Sequence, residues 1–144
     1  MQCSDAPVIV EQRFDEQIQN VWLAITSLEH MKQWFFEEIP AFEPVVGFKT
    51  AFKIQSEQRV FTHLWEITEV IPLKKITYTW KYQEYPGNSK LTFELFEDTP
   101  QTTRLVLTHE VTESFPSEIP EFKRESCVQG WNFFIQEQLK RYLS

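Results

Sequence analysis

The sequence predicts an α+β fold. An antiparallel sheet of about six strands curls around one long C-terminal helix, and two short helices follow the first strand. Three observations predict it. Apolar and polar residues alternate in several short runs set apart by turn signals, which is the period of a half-buried strand. These runs follow one another through short turns, which implies an antiparallel meander. From about Ser117 to Leu143 the period becomes helical. A meander keeps one apolar face that must be covered, and the C-terminal helix is the only element long enough to cover it.

Val8 to Phe14 alternates as a strand, with Val8, Val10, Gln12 and Phe14 on one face. Asp15 can cap a helix carrying Ile18, Val21, Trp22, Ile25 and Leu28, and Ser27 a second one carrying Met31 and Trp34. Pro40 and Pro44 bracket an irregular connection. Gly47 to Ile54 then places Phe48, Phe52 and Ile54 together, and Phe61 to Val70 aligns Phe61, His63, Trp65 and Ile67. Ile71-Pro72-Leu73-Lys74 reads as a turn. Ile76, Tyr78, Trp80 and Tyr82 alternate strictly, and Pro86-Gly87-Asn88 is the strongest turn signal. Leu91, Phe93 and Leu95 form the next inner row, and Leu105, Leu107 and His109 the last. Thr77, Thr79, Lys81, Thr92, Glu94, Arg104, Thr108 and Glu110 are expected on the solvent face, where Lys81 and Glu94 can pair across strands. In the helix, Val128, Trp131, Ile135, Leu139 and Tyr142 make one stripe flanked by Cys127 and Phe134, with Pro120 near its start.

Composition excludes several function classes. The net charge of −7 and the lack of a basic run disfavour nucleic acid and anionic membrane as partners. Three glycines, Gly47, Gly87 and Gly130, cannot assemble a phosphate loop or a dinucleotide fingerprint. No apolar stretch approaches the ~20 residues of a membrane-spanning helix. No signal peptide is read at the N-terminus, and Cys3 and Cys127 have no metal spacing, so a cytoplasmic, reducing setting is expected. The 144 residues are expected to form one domain, with residues 1–7 a poorly ordered tail.

Several runs resemble a known family. They are Val21-Trp22-Leu23-Ala24-Ile25-Thr26 with Trp34-Phe35, then residues 69–80 from Glu69-Val70-Ile71-Pro72 to Tyr78-Thr79-Trp80. Leu91-Thr92-Phe93-Glu94-Leu95, Thr103 to His109, Gly130-Trp131 and Leu139 to Leu143 continue the likeness, which spans about Val8 to Leu143. The chain is similar to the activator-of-heat-shock-protein-90-ATPase homologue-like domains of the START-like (SRPBCC) superfamily. The resemblance implies a helix-grip fold with a cavity between sheet and long helix, and apolar small-molecule binding as its commonest use. It also implies chaperone activation, cyclase-type chemistry and resistance to reactive natural products as outlying ones. The activator's separate N-terminal domain has no counterpart in these residues, so contact with the chaperone's middle segment is not carried over. Leu73 stands where many relatives have a second proline.

The leading expectation is non-enzymatic binding of a small apolar or aromatic molecule in an internal cavity. Phe48, Phe52, Trp65, Tyr78, Trp80, Phe93, Trp131 and Phe134 would wall it, since rigid aromatic surfaces suit an apolar pocket, and His109 would supply a polar contact. The competing reading of each ring is a filled core, and that of His109 a core histidine satisfied by a backbone carbonyl or a tyrosine. His63 has inward parity on a strand that need not be near, and His30 is expected to be exposed. Glu69 shares parity with Trp65 and Ile67 but lies at a strand end, where it can reach water. Cys127 faces inward without an inferable basic partner and reads as an inert small hydrophobe. Glu37 and Glu38 read as a solvated pair, and no catalytic residue, metal or cofactor is expected. A protein-interaction or chaperone-regulating module is the alternative, and a cyclase-type enzyme using His109 and a tyrosine is the third reading.

Overall fold

Alternation along the chain translates into strand faces in the computed structural model, which describes residues 1–2 and 5–144. Cys3, with its part of the expected N-terminal tail, lies outside the described residues. Six strands, β1 (Val8–Phe14), β2 (Lys49–Ser56), β3 (Arg59–Ile71), β4 (Lys75–Tyr82), β5 (Asn88–Thr99) and β6 (Thr102–Glu113), form one antiparallel sheet in the order β1-β6-β5-β4-β3-β2. Two short helices, α1 (Ile18–Thr26) and α2 (Leu28–Trp34), follow β1. A long helix, α3 (residues 124–142), closes the inner face.

The inner rows are those that the alternation predicts. Tyr78, Leu91, Leu105 and Leu107 are completely buried, while Thr79 on the other face is half-buried. Two outer residues, Thr77 and Thr92, are nonetheless buried. Their hydroxyls lie 3.2 Å apart, and Thr92 shares a hollow with the longer Lys75, Lys90 and Glu94 side chains. Phe48 and Ile54, expected inside, are only half-buried at the β2 edge of the sheet.

A bulge corrects the expectation for Glu69. Ile67 opposes Tyr78, but Glu69 opposes Thr77, so Thr68 is the extra residue. One inserted residue flips every side chain beyond it to the other face. Val70 therefore joins the core, and Glu69 stands with Thr77 on the outer face, 3.2 Å from Lys75. The Lys81–Glu94 pairing is also corrected. The connection between β4 and β5 sets Lys75, not Lys81, opposite Glu94, and Lys81 faces Leu64. Gly87 in that connection has φ +117, and a Cβ there would meet the Phe115 ring at 2.4 Å, so only glycine fits.

Helix ends differ from the expectation as well. α1 starts after Gln17, beyond the reach of Asp15, and Ser27 stands at the start of α2 without a capping bond from its hydroxyl. Pro120 opens a separate turn of 3-10 helix, Pro120–Phe122, and the extended backbone of Lys123 delays α3 to Arg124. From Asn132 to Leu139 the turns of α3 widen to the π type. In a regular α-helix each four-residue step overshoots one turn by about 40°. The wider turns absorb that drift and keep Trp131, Ile135 and Leu139 aligned and buried, while Tyr142 is 36% exposed.

The core has two parts. The main one joins the inner sheet face to α1, α2 and α3 and includes Trp34, Tyr78, Phe93 and Ile135. A smaller one gathers Phe61, Val111, Phe115 and Phe122 at one end. Met1 and Tyr82 touch both.

Candidate functional site

A pocket of about 160 Å³ lies where the two clusters meet. The sheet contributes His63, Trp80, Tyr82 and His109, and α3 contributes Cys127, Gly130, Trp131 and Phe134. Phe36, from the connection after α2, and Phe115 and Phe122 complete the aromatic wall, while Met1, Glu121 and Ser126 stand at its rim. Strand pairing brings the sheet residues together: His63 opposes Tyr82, and Trp80 is 5.8 Å from His109 between ring centres.

Of the nine residues expected to wall a cavity, Trp80, His109, Trp131 and Phe134 line this pocket. Phe48, Phe52, Trp65, Tyr78 and Phe93 do not. Phe42 covers Trp65 and Tyr78 edge-on, with centroids at 6.4 and 5.8 Å. Phe35 reaches into the middle of the interior, 5.7 Å from Trp65 and 5.8 Å from Trp131. The space that the expected wall would have enclosed is thus partly occupied by the connection after α2. Trp65 Nε1 and Tyr78 Oη are fully buried there without a protein partner.

His109 forms the centre of a hydrogen-bond network whose directions can be assigned. Ser89 Oγ donates its one proton to the Trp80 carbonyl at 2.7 Å. Toward His109 Nε2, at 2.8 Å, the same oxygen must accept, so Nε2 carries the ring proton. Nδ1 then accepts the indole N–H of Trp131 at 3.0 Å, with Cys127 Sγ at 3.4 Å. Burial pushes the His109 pKa down to about 4, consistent with this neutral ring. Both nitrogens are engaged by the protein, so the expected polar contact from His109 to a ligand has no free atom. Cys127 does have a basic neighbour after all, but burial pushes its thiol up to about 11, and it remains a protonated wall group.

His63 and Tyr82 are placed differently. His63 Nδ1 donates to the Phe61 carbonyl at 3.0 Å, and burial lowers the ring's pKa to about 4. Among the described residues its Nε2 has no hydrogen-bond partner. Tyr82 Oη accepts the Trp80 indole N–H at 2.8 Å and keeps its own proton uncommitted; burial raises its pKa. The parity of His63 was the signal for its place, while Phe36, in an irregular segment, and Phe115 and Phe122, beyond the last alternating row, gave none. His30, expected to be exposed, is half-buried, with Nδ1 2.6 Å from Tyr142 Oη, and Glu37 and Glu38 are exposed in a loop. Among the described residues no three His, Cys, Asp or Glu side chains are placed to hold a metal ion.

A family model described as "Activator of Hsp90 ATPase homolog 1-like protein" matches residues 15–144. Among solved structures, a protein from Mesorhizobium loti is similar at 24% identity and a TM-score of 0.72, covering 96% of each chain. One from Chromobacterium violaceum has 18% identity and a TM-score of 0.78, covering 95% of this chain and 96% of its own. The solution structure of the Aha1 dimer from Colwellia psychrerythraea has 19% identity and a TM-score of 0.69, covering 96% of each chain. At these identities the likeness shows a shared fold. No curated protein matches the chain.

Proposed function

Because this chain belongs to the activator-of-Hsp90-ATPase homolog 1-like family and has its helix-grip fold, we propose that it binds a small apolar or aromatic molecule between the sheet and α3. The observation that carries this reading is the pocket of about 160 Å³, nine of whose fourteen lining residues carry rings. Of the charged groups on its wall, Glu121 stands 3.4 Å from Arg59 and the Met1 ammonium donates to the Phe122 carbonyl. An engineered cavity of about 150 Å³ lined by Leu, Ile and Phe takes benzene, so the volume suits one ring.

Trp80 and Trp131 both line the pocket and provide the readout. Titration with toluene is expected to shift their indole N–H resonances and to saturate at one site per chain. Trp131→Ala is expected to abolish or weaken that response. Resonances unmoved by toluene and by p-cresol, each up to its solubility limit, would overturn the reading.

A second reading, a protein-interaction module of the chaperone-regulating kind, draws on a surface hollow of about 780 Å³ at the strand ends. Ile71 and Phe96 are 42% and 40% exposed there beside Leu73, ringed by Lys74, Glu97 and Arg104. It takes first place if the titration fails.

A further inference from the structure

We propose that the ligand of this pocket is a monocyclic phenol whose hydroxyl is held between Tyr82 and His63. The inference rests on the apolar-pocket reading and names the class of ligand.

Glu121 Oε1 has no hydrogen bond but is paired with Arg59 at 3.4 Å, and two further polar groups of the wall are left over after the protein's own hydrogen bonds are assigned. Tyr82 Oη uses a lone pair on the Trp80 N–H, and its own proton is left to donate. His63 uses its Nδ1 proton on the Phe61 carbonyl, so Nε2 is left to accept. The ring stays neutral near pH 7 because burial holds its pKa at about 4. His63 is only 5% exposed, yet Nε2 is not sealed. The partnerless atoms wholly cut off from solvent among the described residues are Trp65 Nε1, Tyr78 Oη and Glu121 Oε1. His63 lines the pocket, which is where a ligand group can meet Nε2. The two rings are neighbours, with centroids 4.9 Å apart.

One donor and one acceptor side by side select a group that both accepts and donates, and a hydroxyl does both. A hydrocarbon would strip water from both groups without replacing it, which is unfavourable. A carboxylate would find the Met1 ammonium already held by the Phe122 carbonyl and would face Glu121. An ammonium group would leave the Tyr82 proton unanswered, and the Glu121 charge is already met by Arg59. The flanking rings of Phe36, Trp80, Phe122 and Phe134 offer faces and edges to a flat ring rather than to an alkyl chain. The pocket volume of about 160 Å³ limits that ring system to one ring.

The test compares p-cresol, toluene and 4-methylanisole on the full chain by calorimetry and by the indole N–H resonances. The expected order places p-cresol about tenfold tighter than toluene, the effect of roughly one net hydrogen bond. 4-Methylanisole, which accepts but cannot donate, is expected to fall below p-cresol. In Tyr82→Phe the preference for p-cresol over toluene is expected to shrink several-fold, with binding of toluene retained. The ligand series on the unaltered chain decides the matter even if that variant folds poorly. Saturable binding of toluene and p-cresol with equal affinity would overturn this inference and leave the apolar-pocket reading standing. Binding of neither would overturn both.

Discussion

His63 and His109 lie in the same aromatic wall, and their burial has one consequence that does not depend on a ligand. Both rings have folded-state pKa values near 4, set first by desolvation and, for His63, only partly offset by the Phe61 carbonyl and Glu84. The unfolded chain titrates near the ordinary value of about 6.5. As the pH falls below 6.5, the unfolded state takes up protons that the folded state refuses, so stability is full above that pH and is lost toward pH 4. By pH 5.5 the loss is roughly 1 kcal/mol for each ring. Urea unfolding at pH 7.0 and 5.5 is expected to show a combined loss of about 2 kcal/mol, in a range where carboxylates are still largely ionised. Equal stability at the two pH values would mean that the rings are charged inside the protein. The inward parity of both histidines was legible in the sequence. Their partners were not, because Cys127 and Trp131 reach His109 from a helix whose docking is decided by tertiary packing.

At the scale of the element, strict alternation was enough to place every strand, since period two admits only two faces and a slip would expose Tyr78 and Trp80. The bulge at Thr68 escaped because an inserted threonine looks like any other strand residue, and so Glu69 was assigned to the wrong face. In α3 the apolar spacing marked the helix but not its widened turns. Gly130 within it invites the explanation that it relieves crowding beside Trp131. Apart from its chain neighbours and the helix backbone, a Cβ at this position would meet no atom within 4 Å. What remains is open space at the pocket wall. Gly130→Ala is expected to stabilise the protein by about 1 kcal/mol through helix propensity alone. The added methyl group would at the same time occupy pocket space and weaken toluene binding. Thermal unfolding and the toluene titration check the two halves separately. Destabilisation would contradict the free space, and undiminished binding would detach Gly130 from the site.

Across the whole molecule, the aromatic excess was read as two facing surfaces, but Phe35, Phe36, Phe42, Phe115 and Phe122 come from neither the strands nor the long helix, and the rings serve two ends. Phe93 and Tyr78 are wholly enclosed in the main cluster, whereas Phe122 belongs to the small cluster that borders the pocket. The sequence could not divide them. Whether facing rings close on one another depends on what the irregular connection inserts, and Phe35 and Phe36 carry no periodicity that announces it. The division predicts unequal consequences for the same substitution. Phe93→Ala empties a site surrounded on all sides and is expected to cost about 3–5 kcal/mol. Phe122, beside an existing void, already lacks contacts on one side, so Phe122→Ala is expected to cost at least about 1 kcal/mol less. It should also enlarge the pocket and admit a two-ring probe such as naphthalene. Denaturant unfolding of the two variants, with naphthalene titrated into each, measures both effects. Equal losses of stability, with naphthalene refused by Phe122→Ala, would show that the small cluster is packed as tightly as the main core and that the space beside it does not extend beneath Phe122.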